Sequence, residues 1–85
     1  MFKLNKLFKK LVELGVSPYM VDDEIHVEGC NCNMTIKMEI GRFALDAWMQ
    51  EKYLDEHGAA KRILHTDVVS RGDKKIIEFV SDMCF

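Results

Sequence analysis

The hydrophobic pattern changes its period within the first half of the chain, and this change constrains the fold more than any other sequence feature. Apolar residues first recur every three or four positions between lysines and other polar residues, at Phe2, Leu4, Leu7, Phe8, Leu11 and Leu14. This spacing predicts an amphipathic helix. Gly15 and then Pro18 disfavour its continuation, so we expect the helix to end near Leu14.

After Pro18 the apolar residues alternate with polar ones, which is the pattern of half-buried strands. Tyr19 and Val21 lead into an Asp22-Asp23 turn, and Ile25 and Val27 follow it. In the clearest alternation, the polar residues Thr35, Lys37 and Glu39 are interleaved with four apolar ones, Met34, Ile36, Met38 and Ile40. The Gly- and Asn-rich residues 29–33 are predicted to form the hairpin loop before this strand.

In the second half, residues 43–56 place Leu45, Trp48, Met49 and Tyr53 at helical spacing and predict a second helix. Residues 63–70 and 75–81 are β-rich and flank the turn-like sequence Arg71-Gly72-Asp73-Lys74, so they predict a hairpin in which Val68 faces Ile77. The predicted core comprises Leu7, Leu11, Ile36, Met38, Trp48, Val68, Ile77 and Phe79.

The predicted fold is a small two-layer α+β domain with the element order α-β-β-β-α-β-β. It has an antiparallel sheet of four to five strands with two helices on one face. A chain of 85 residues buries too little surface for two cores, so residues 1–85 are expected to form a single domain.

Composition narrows the classes of function. The formal net charge of −2 gives no overall attraction to nucleic acid or to an anionic membrane. Three cysteines and the lack of a signal-peptide pattern favour a reducing, cytoplasmic location. No apolar run approaches the roughly 20 residues needed to span a bilayer, so no membrane association is expected.

The basic face of the first helix is the strongest local charge feature, with four lysines and no acidic residue before Glu13. The predicted binding residues are Lys3, Lys6, Lys9 and Lys10, together with Arg42, Arg71, Lys74 and Lys75 where the fold brings them near. A solvated helix face is the alternative. Acidic residues gather in other segments, and patches of opposite sign favour a protein partner or self-association.

Two clusters could carry chemistry. Cys30 and Cys32 could bind zinc with His26 and Cys84, but the Cys-x-Cys spacing is unfavourable for a zinc knuckle, so no metal or cofactor is predicted. The second cluster places His65, Asp67 and Glu78 on the outer face of the predicted C-terminal hairpin. Because catalysis usually needs a cleft, no catalytic residue is assigned.

These observations favour a non-enzymatic interaction protein that regulates or inhibits a macromolecular target, most readily a protein, with a homodimer as a further expectation. The counter-defence factors of phages and mobile elements are one such class. One alternative is an RNA- or DNA-binding protein that uses the basic face of the first helix. Another is a small metal- or thiol-dependent enzyme.

Overall fold

The computed structural model describes residues 2–29 and 32–85, in which five strands form one antiparallel sheet accompanied by two helices. The strands lie in the order in which they follow each other in the chain, and each neighbouring pair is antiparallel. The predicted α+β class and the antiparallel sheet with two helices are confirmed. The elements are α1 (Phe2–Leu14), β1 (Tyr19–Val21), β2 (Glu24–Glu28), β3 (Cys32–Glu39), β4 (Arg42–Asp55), β5 (Gly58–Ser70) and α2 (Asp73–Cys84).

The predicted first helix and the three strands after it are confirmed. Gly15 adopts the left-handed conformation that ends α1, with φ 103°. The turn between β1 and β2 has positive φ at both Asp22 and Asp23, as a two-residue hairpin turn of type I′ requires. The strand predicted from Met34 onward begins slightly earlier, at Cys32, which is a buried strand residue and not a loop residue as predicted.

The element order differs from the prediction first at residues 43–56, which form most of β4 instead of a helix. Phe43, Leu45 and Ala47 are buried at a spacing of two residues, and β4 pairs with β3 on one side and β5 on the other. Two neighbours satisfy the backbone hydrogen bonds of a central strand. This pairing selects the strand over the helix that the spacing of Leu45, Met49 and Tyr53 also allows.

The second difference is at the C-terminus, where residues 75–81 belong to α2 and not to a strand. Ile76 and Val80, one helical turn apart, are fully buried. Gly72 is extended and precedes the helix. The negative charge of Asp73, in the first turn, interacts favourably with the positive end of the helix dipole. The segment predicted as a hairpin turn therefore leads into α2, which starts at Asp73, and the predicted pairing of Val68 with Ile77 is wrong.

The core lies between the helices and one face of the sheet, which we call the helix-side face; the opposite face is the open face. Of the predicted core residues, Leu7, Leu11 and Ile36 are buried, and the partly buried ones packed against them are Met38, Val68, Ile77 and Phe79. The prediction for Trp48 is wrong, because this side chain is 51% exposed. Its position in β4 places it on the open face, opposite His65.

The β4–β5 hairpin extends beyond the rest of the sheet. Pairing of β3 with β4 ends at Met49, so among the described residues, residues 50–63 pair only with each other; we call residues 50–63 the arm. The arm gives the molecule a longest dimension of 50 Å and a radius of gyration of 14.3 Å. A compact chain of this length would have a radius of gyration of about 12 Å. Among the described residues, no helix is long and apolar enough to cross a membrane.

Candidate binding surface

The arm exposes large apolar side chains that no helix covers. Leu54 is 83% exposed and Ile63 67%, and Tyr53 is also exposed. Trp48 and Leu64, at the base of the arm, are exposed as well. Single exposed apolar residues are normal on a protein surface, but several on one projecting hairpin are characteristic of an interaction site.

On the helix-side face of the arm, side-chain contacts link the two strands. Arg62 Nε donates a hydrogen bond to Glu51 Oε2 at 2.6 Å. The Arg62 guanidinium also lies 5.5 Å from the centroid of the Tyr53 ring. The hydrogen bond from Arg62 lowers the pKa of Glu51. Exposed pairs of this kind contribute little to stability, so the arm is ordered by strand pairing and not by a core of its own.

A groove of about 320 Å³ lies at the base of the arm, where β3 begins and the hairpin leaves the body of the domain. Trp48 forms one wall of the groove. Its ring lies against that of His65, with the two ring centroids 4.3 Å apart. Gly29 packs closely at this end, because a Cβ atom there would lie 2.9 Å from Cys32 Sγ. The groove is lined by Gly29, Cys32, Asn33, Trp48, Met49, Gln50 and Ile63.

The open face carries a histidine-carboxylate cluster beside this groove. His65 Nε2 lies 3.2 Å from Asp46 Oδ1, and Asp67 is directly opposite Asp46 in the neighbouring strand. His65 and Asp67 thus share a face as predicted, whereas Glu78 lies on α2. Asp46, His65 and Asp67 are all solvent-accessible, so this cluster lies on the surface of the sheet.

A second aromatic pair lies on the open face at the opposite edge of the sheet. The rings of Tyr19 and His26 stack with their centroids 5.2 Å apart. Tyr19 Oη donates a hydrogen bond to Glu28 Oε1 at 2.7 Å, and this bond raises the pKa of Tyr19. The ring contact and this hydrogen bond both link the short strand β1 to β2.

The predicted basic residues separate into groups. Lys3, Lys6 and Arg71 come together around a cleft of about 210 Å³ at the start of α2, which Asp73 also lines. Lys10 Nζ instead contacts Asp73 Oδ2 at 2.6 Å and lowers the pKa of that carboxyl. The remaining predicted residues lie elsewhere on the surface: Lys9 on α1, Lys74 and Lys75 in the first turn of α2, and Arg42 at the start of β4 opposite Glu39.

Of the residues named for the zinc alternative, Cys32 and Cys84 lie close together, whereas His26 does not join them. Cys32 is buried on the helix-side face, whereas His26 pairs with Thr35 on the open face, so these two side chains cannot share a metal ion. Burial, followed by the proximity of Cys32, raises the pKa of Cys84. Cys30 lies outside the described residues. Within residues 2–29 and 32–85, no three His, Cys, Asp or Glu side chains are grouped so that they could hold a metal ion.

Sequence reasoning missed the arm because it assigned residues 43–56 to a helix. A signal was present, since Asp55 and Gly58 enclose a two-residue Glu56-His57 connection between two apolar runs. The His57 backbone N–H donates to Asp55 Oδ1 at 2.8 Å, a local hydrogen bond typical of Asp in turns.

No family model, curated protein or solved structure matches the chain.

Proposed function

We propose that the protein is a non-enzymatic binding protein that engages a protein target with the arm and the groove at its base, and that it regulates or inhibits the target by occupying its surface. The observation that carries the proposal is the display of large apolar side chains on a hairpin that has no core beneath it. Its cysteines would remain reduced in the cytoplasm, where we propose that it acts.

The composition of the arm suits a protein partner. Leu54 and Ile63 on the open face supply apolar area, and Trp48 supplies an aromatic anchor of the kind enriched at energetic centres of interfaces. Charged residues of both signs surround them, at Glu51, Lys52, Asp55, Glu56, Lys61 and Arg62. On the open face Lys52 and Lys61 lie between Leu54 and Ile63, so the arm presents apolar and charged side chains in alternation. A surface of this mixed kind favours a protein over a uniformly charged polymer.

Site-specific photo-crosslinking tests this proposal. A photoreactive residue would replace Leu54 in the arm or, as a matched control, the exposed Val12 on α1. The full chain would be irradiated in extracts of the cells that naturally produce it. A protein captured from the arm position would then be purified and titrated against the parent chain and the variants by calorimetry.

We expect the double variant Leu54→Ser with Ile63→Ser to weaken binding of the purified target about tenfold or more, since each removes apolar area from the interface. Val12→Ser should leave the affinity unchanged. The proposal fails if the purified target binds the double variant as tightly as the parent, or if it crosslinks only from α1.

The basic cleft favours a second candidate, binding of RNA or DNA. Lys3, Lys6 and Arg71 line one cleft, and positively charged side chains gathered in this way contact phosphates. Titration with a fluorescent single-stranded RNA and a DNA duplex tests this candidate. If it holds, Lys6→Glu with Arg71→Glu abolishes binding, and the parent loses affinity steeply as salt rises; Lys9→Glu is the matched control. Salt-independent or absent binding would exclude it.

The homodimer expected from the sequence would use the arm differently. It would form through the backbone edge of β5, which leaves the groove and the Trp48 face accessible to a target.

A further inference from the structure

We propose that two copies of the chain pair through β5, antiparallel and in full-length register about a twofold axis at Leu64, to form one continuous sheet. β5 is the terminal strand of the sheet, and its 13 residues pair with β4 without interruption. In the part of the chain that the structure describes, its outer edge has no strand partner. Such long, regular edges are templates for pairing with another chain.

The two edges of the sheet differ in the features that prevent such pairing. β1, at the other edge, has only three residues. Very short edge strands, prolines and bulges are the usual protections. β5 is long, contains no proline and keeps an unbroken register over all its residues. Only its charged side chains could discourage a partner, and their arrangement instead favours one copy meeting another.

Within one chain, β5 carries two unfavourable charge pairs on the open face. Asp67 lies directly opposite Asp46, and Lys61 lies directly opposite Lys52. Like charges directly opposite each other in neighbouring strands are destabilising. Lys61 and Asp67 are equally far from Leu64, the central residue of β5, and they have opposite signs.

A second copy of the chain would offset the charge repulsion in both pairs. Antiparallel strands related by a twofold axis normal to the sheet keep the same face outward, so residues equally far before and after Leu64 face each other. Lys61 then lies opposite Asp67 of the second copy, and the symmetry creates this contact twice. Two attractive cross-strand pairs thus flank the axis on the open face.

The other residues of β5 are compatible with this register. Leu64 meets its own symmetry copy on the helix-side face, and Ile63 meets His65 of the second copy on the open face. Val69 meets Ala59 of the second copy farther out. A shift of the register by two residues would place Lys61 opposite either His65 or Val69, and both attractive pairs would be lost. The charges therefore select the full-length register.

Charge reversal separates this dimer from other modes of association. Lys61→Asp and Asp67→Lys each remove a like-charge pair within the chain but create two repulsive pairs across the axis. Each should therefore leave the fold at least as stable, while raising the dissociation constant of the dimer about tenfold or more. The double swap should restore or strengthen dimerisation. Lys9→Asp, a reversal on α1, is the matched control. Sedimentation equilibrium of the full chain measures all of these constants.

A cysteine at the proposed axis tests the register itself. In Leu64→Cys the two introduced thiols would face each other across the axis, within the range of Cα separations that a disulfide bridges. We expect oxidation to give a covalent dimer rapidly. Leu54→Cys, at the far end of the arm, should not crosslink, and the parent chain controls for its own cysteines.

The proposal is overturned if the parent chain is a monomer at its highest soluble concentration. A dimer that ignores the charge reversals, or that crosslinks through position 54 and not through position 64, also overturns it. Loss of target binding by Leu54→Ser alone, a substitution in β4 outside the proposed dimer interface, tests the proposed function separately. Because the dimer is measured without any target, each proposal can fail while the other holds.

Discussion

The two ends of the β4–β5 hairpin are made of the same two strands but have different surroundings. At the body end, Phe43, Leu45 and Ala47 pack beneath the helices and are buried. At the arm end, Tyr53 and Leu54 occupy the same strand and are exposed. Strand pairing continues unchanged from one end to the other.

From this difference in burial we expect that packing against the helices contributes more to the stability of the sheet than strand pairing does. An isolated two-stranded hairpin is at best marginally stable in water. Regions with few buried apolar contacts open more easily than the core. We therefore expect the arm to open more easily than the body of the same two strands.

Two leucines in β4 allow a direct test of this comparison. Leu45 is 1% exposed and Leu54 is 83% exposed. Leu45→Ala should destabilise the domain by about 2–5 kcal/mol, because it creates a cavity in the core. Leu54→Ala should change the stability by less than about 0.5 kcal/mol. Denaturant unfolding at low protein concentration measures both values.

Hydrogen exchange sharpens the same comparison. The amides of β4 and β5 in the arm should exchange sooner than those in the body of the same strands. A large loss of stability in Leu54→Ala, together with slow exchange in the arm, would mean that another surface covers the arm.

Trp48 lies at the boundary between the body and the arm, and the expected effect of its truncation is smaller. Trp48→Ala should cost about 1–1.5 kcal/mol, because the ring is half exposed but lies against the tilted ring of His65. The sequence alone predicts a severe loss. Trp48 is the only tryptophan, so its accessibility to iodide quenching in the folded state reports the same environment directly. An inaccessible ring would contradict the open-face position.

The contact between Lys10 and Asp73 joins the two helices that cover the body. Both side chains are partly exposed. Lys10→Ala should therefore cost only about 0.5–1 kcal/mol at neutral pH. Val12→Ala, on the exposed side of α1, is a control for the effect of truncation.

The cost of Lys10→Ala should depend on pH. The Asp73 pKa is lowered in the folded protein, so the pair stabilises it above the unfolded pKa of about 4 and is lost as pH falls through the folded value. The difference between parent and variant should shrink below pH of about 4. A difference that is constant down to low pH would show that Asp73 is not the partner.

The smallest expected effect concerns the turn between β3 and β4. Ile40 has a φ of 50° and is 93% exposed at the hairpin tip, followed by Gly41 with a φ of 72°. A β-branched residue is strained in this conformation, whereas Asn tolerates it. Ile40→Asn should stabilise the domain by about 0.5 kcal/mol in thermal unfolding. A destabilised variant would mean that the Ile40 side chain makes a contact that the monomer lacks.

Sequence patterning predicted the elements in which only one period fits the apolar residues. In α1 the spacing of Leu4, Leu7 and Leu11 fits a helix and not a strand, and all three are buried. In β3 the alternation of Met34, Ile36 and Met38 fits only a strand. These elements show their buried face without reference to any other segment.

Patterning failed where two periods fit the same residues. Leu45, Met49 and Tyr53 are four residues apart, a separation that keeps residues on one face of a helix and also on one face of a strand. The reverse happened at α2, where the β-rich residues 75–81 after a turn-like sequence suggested a strand although Ile76 and Val80 are the buried pair. In both segments the available partners decide, and those partners are distant in the sequence.

The candidate site shows the same division. The sequence identified the basic residues of α1, but only the fold places Lys3 and Lys6 beside Arg71 and commits Lys10 to Asp73. The arm was not predicted, because it exists only if β4 and β5 pair beyond the point where β3 ends. The sequence by itself determined the α+β class, α1 and the first three strands, since local periodicity suffices for these. The tertiary structure alone decided β4, α2 and the exposed arm, because their conformations depend on which distant strand or helix covers each face.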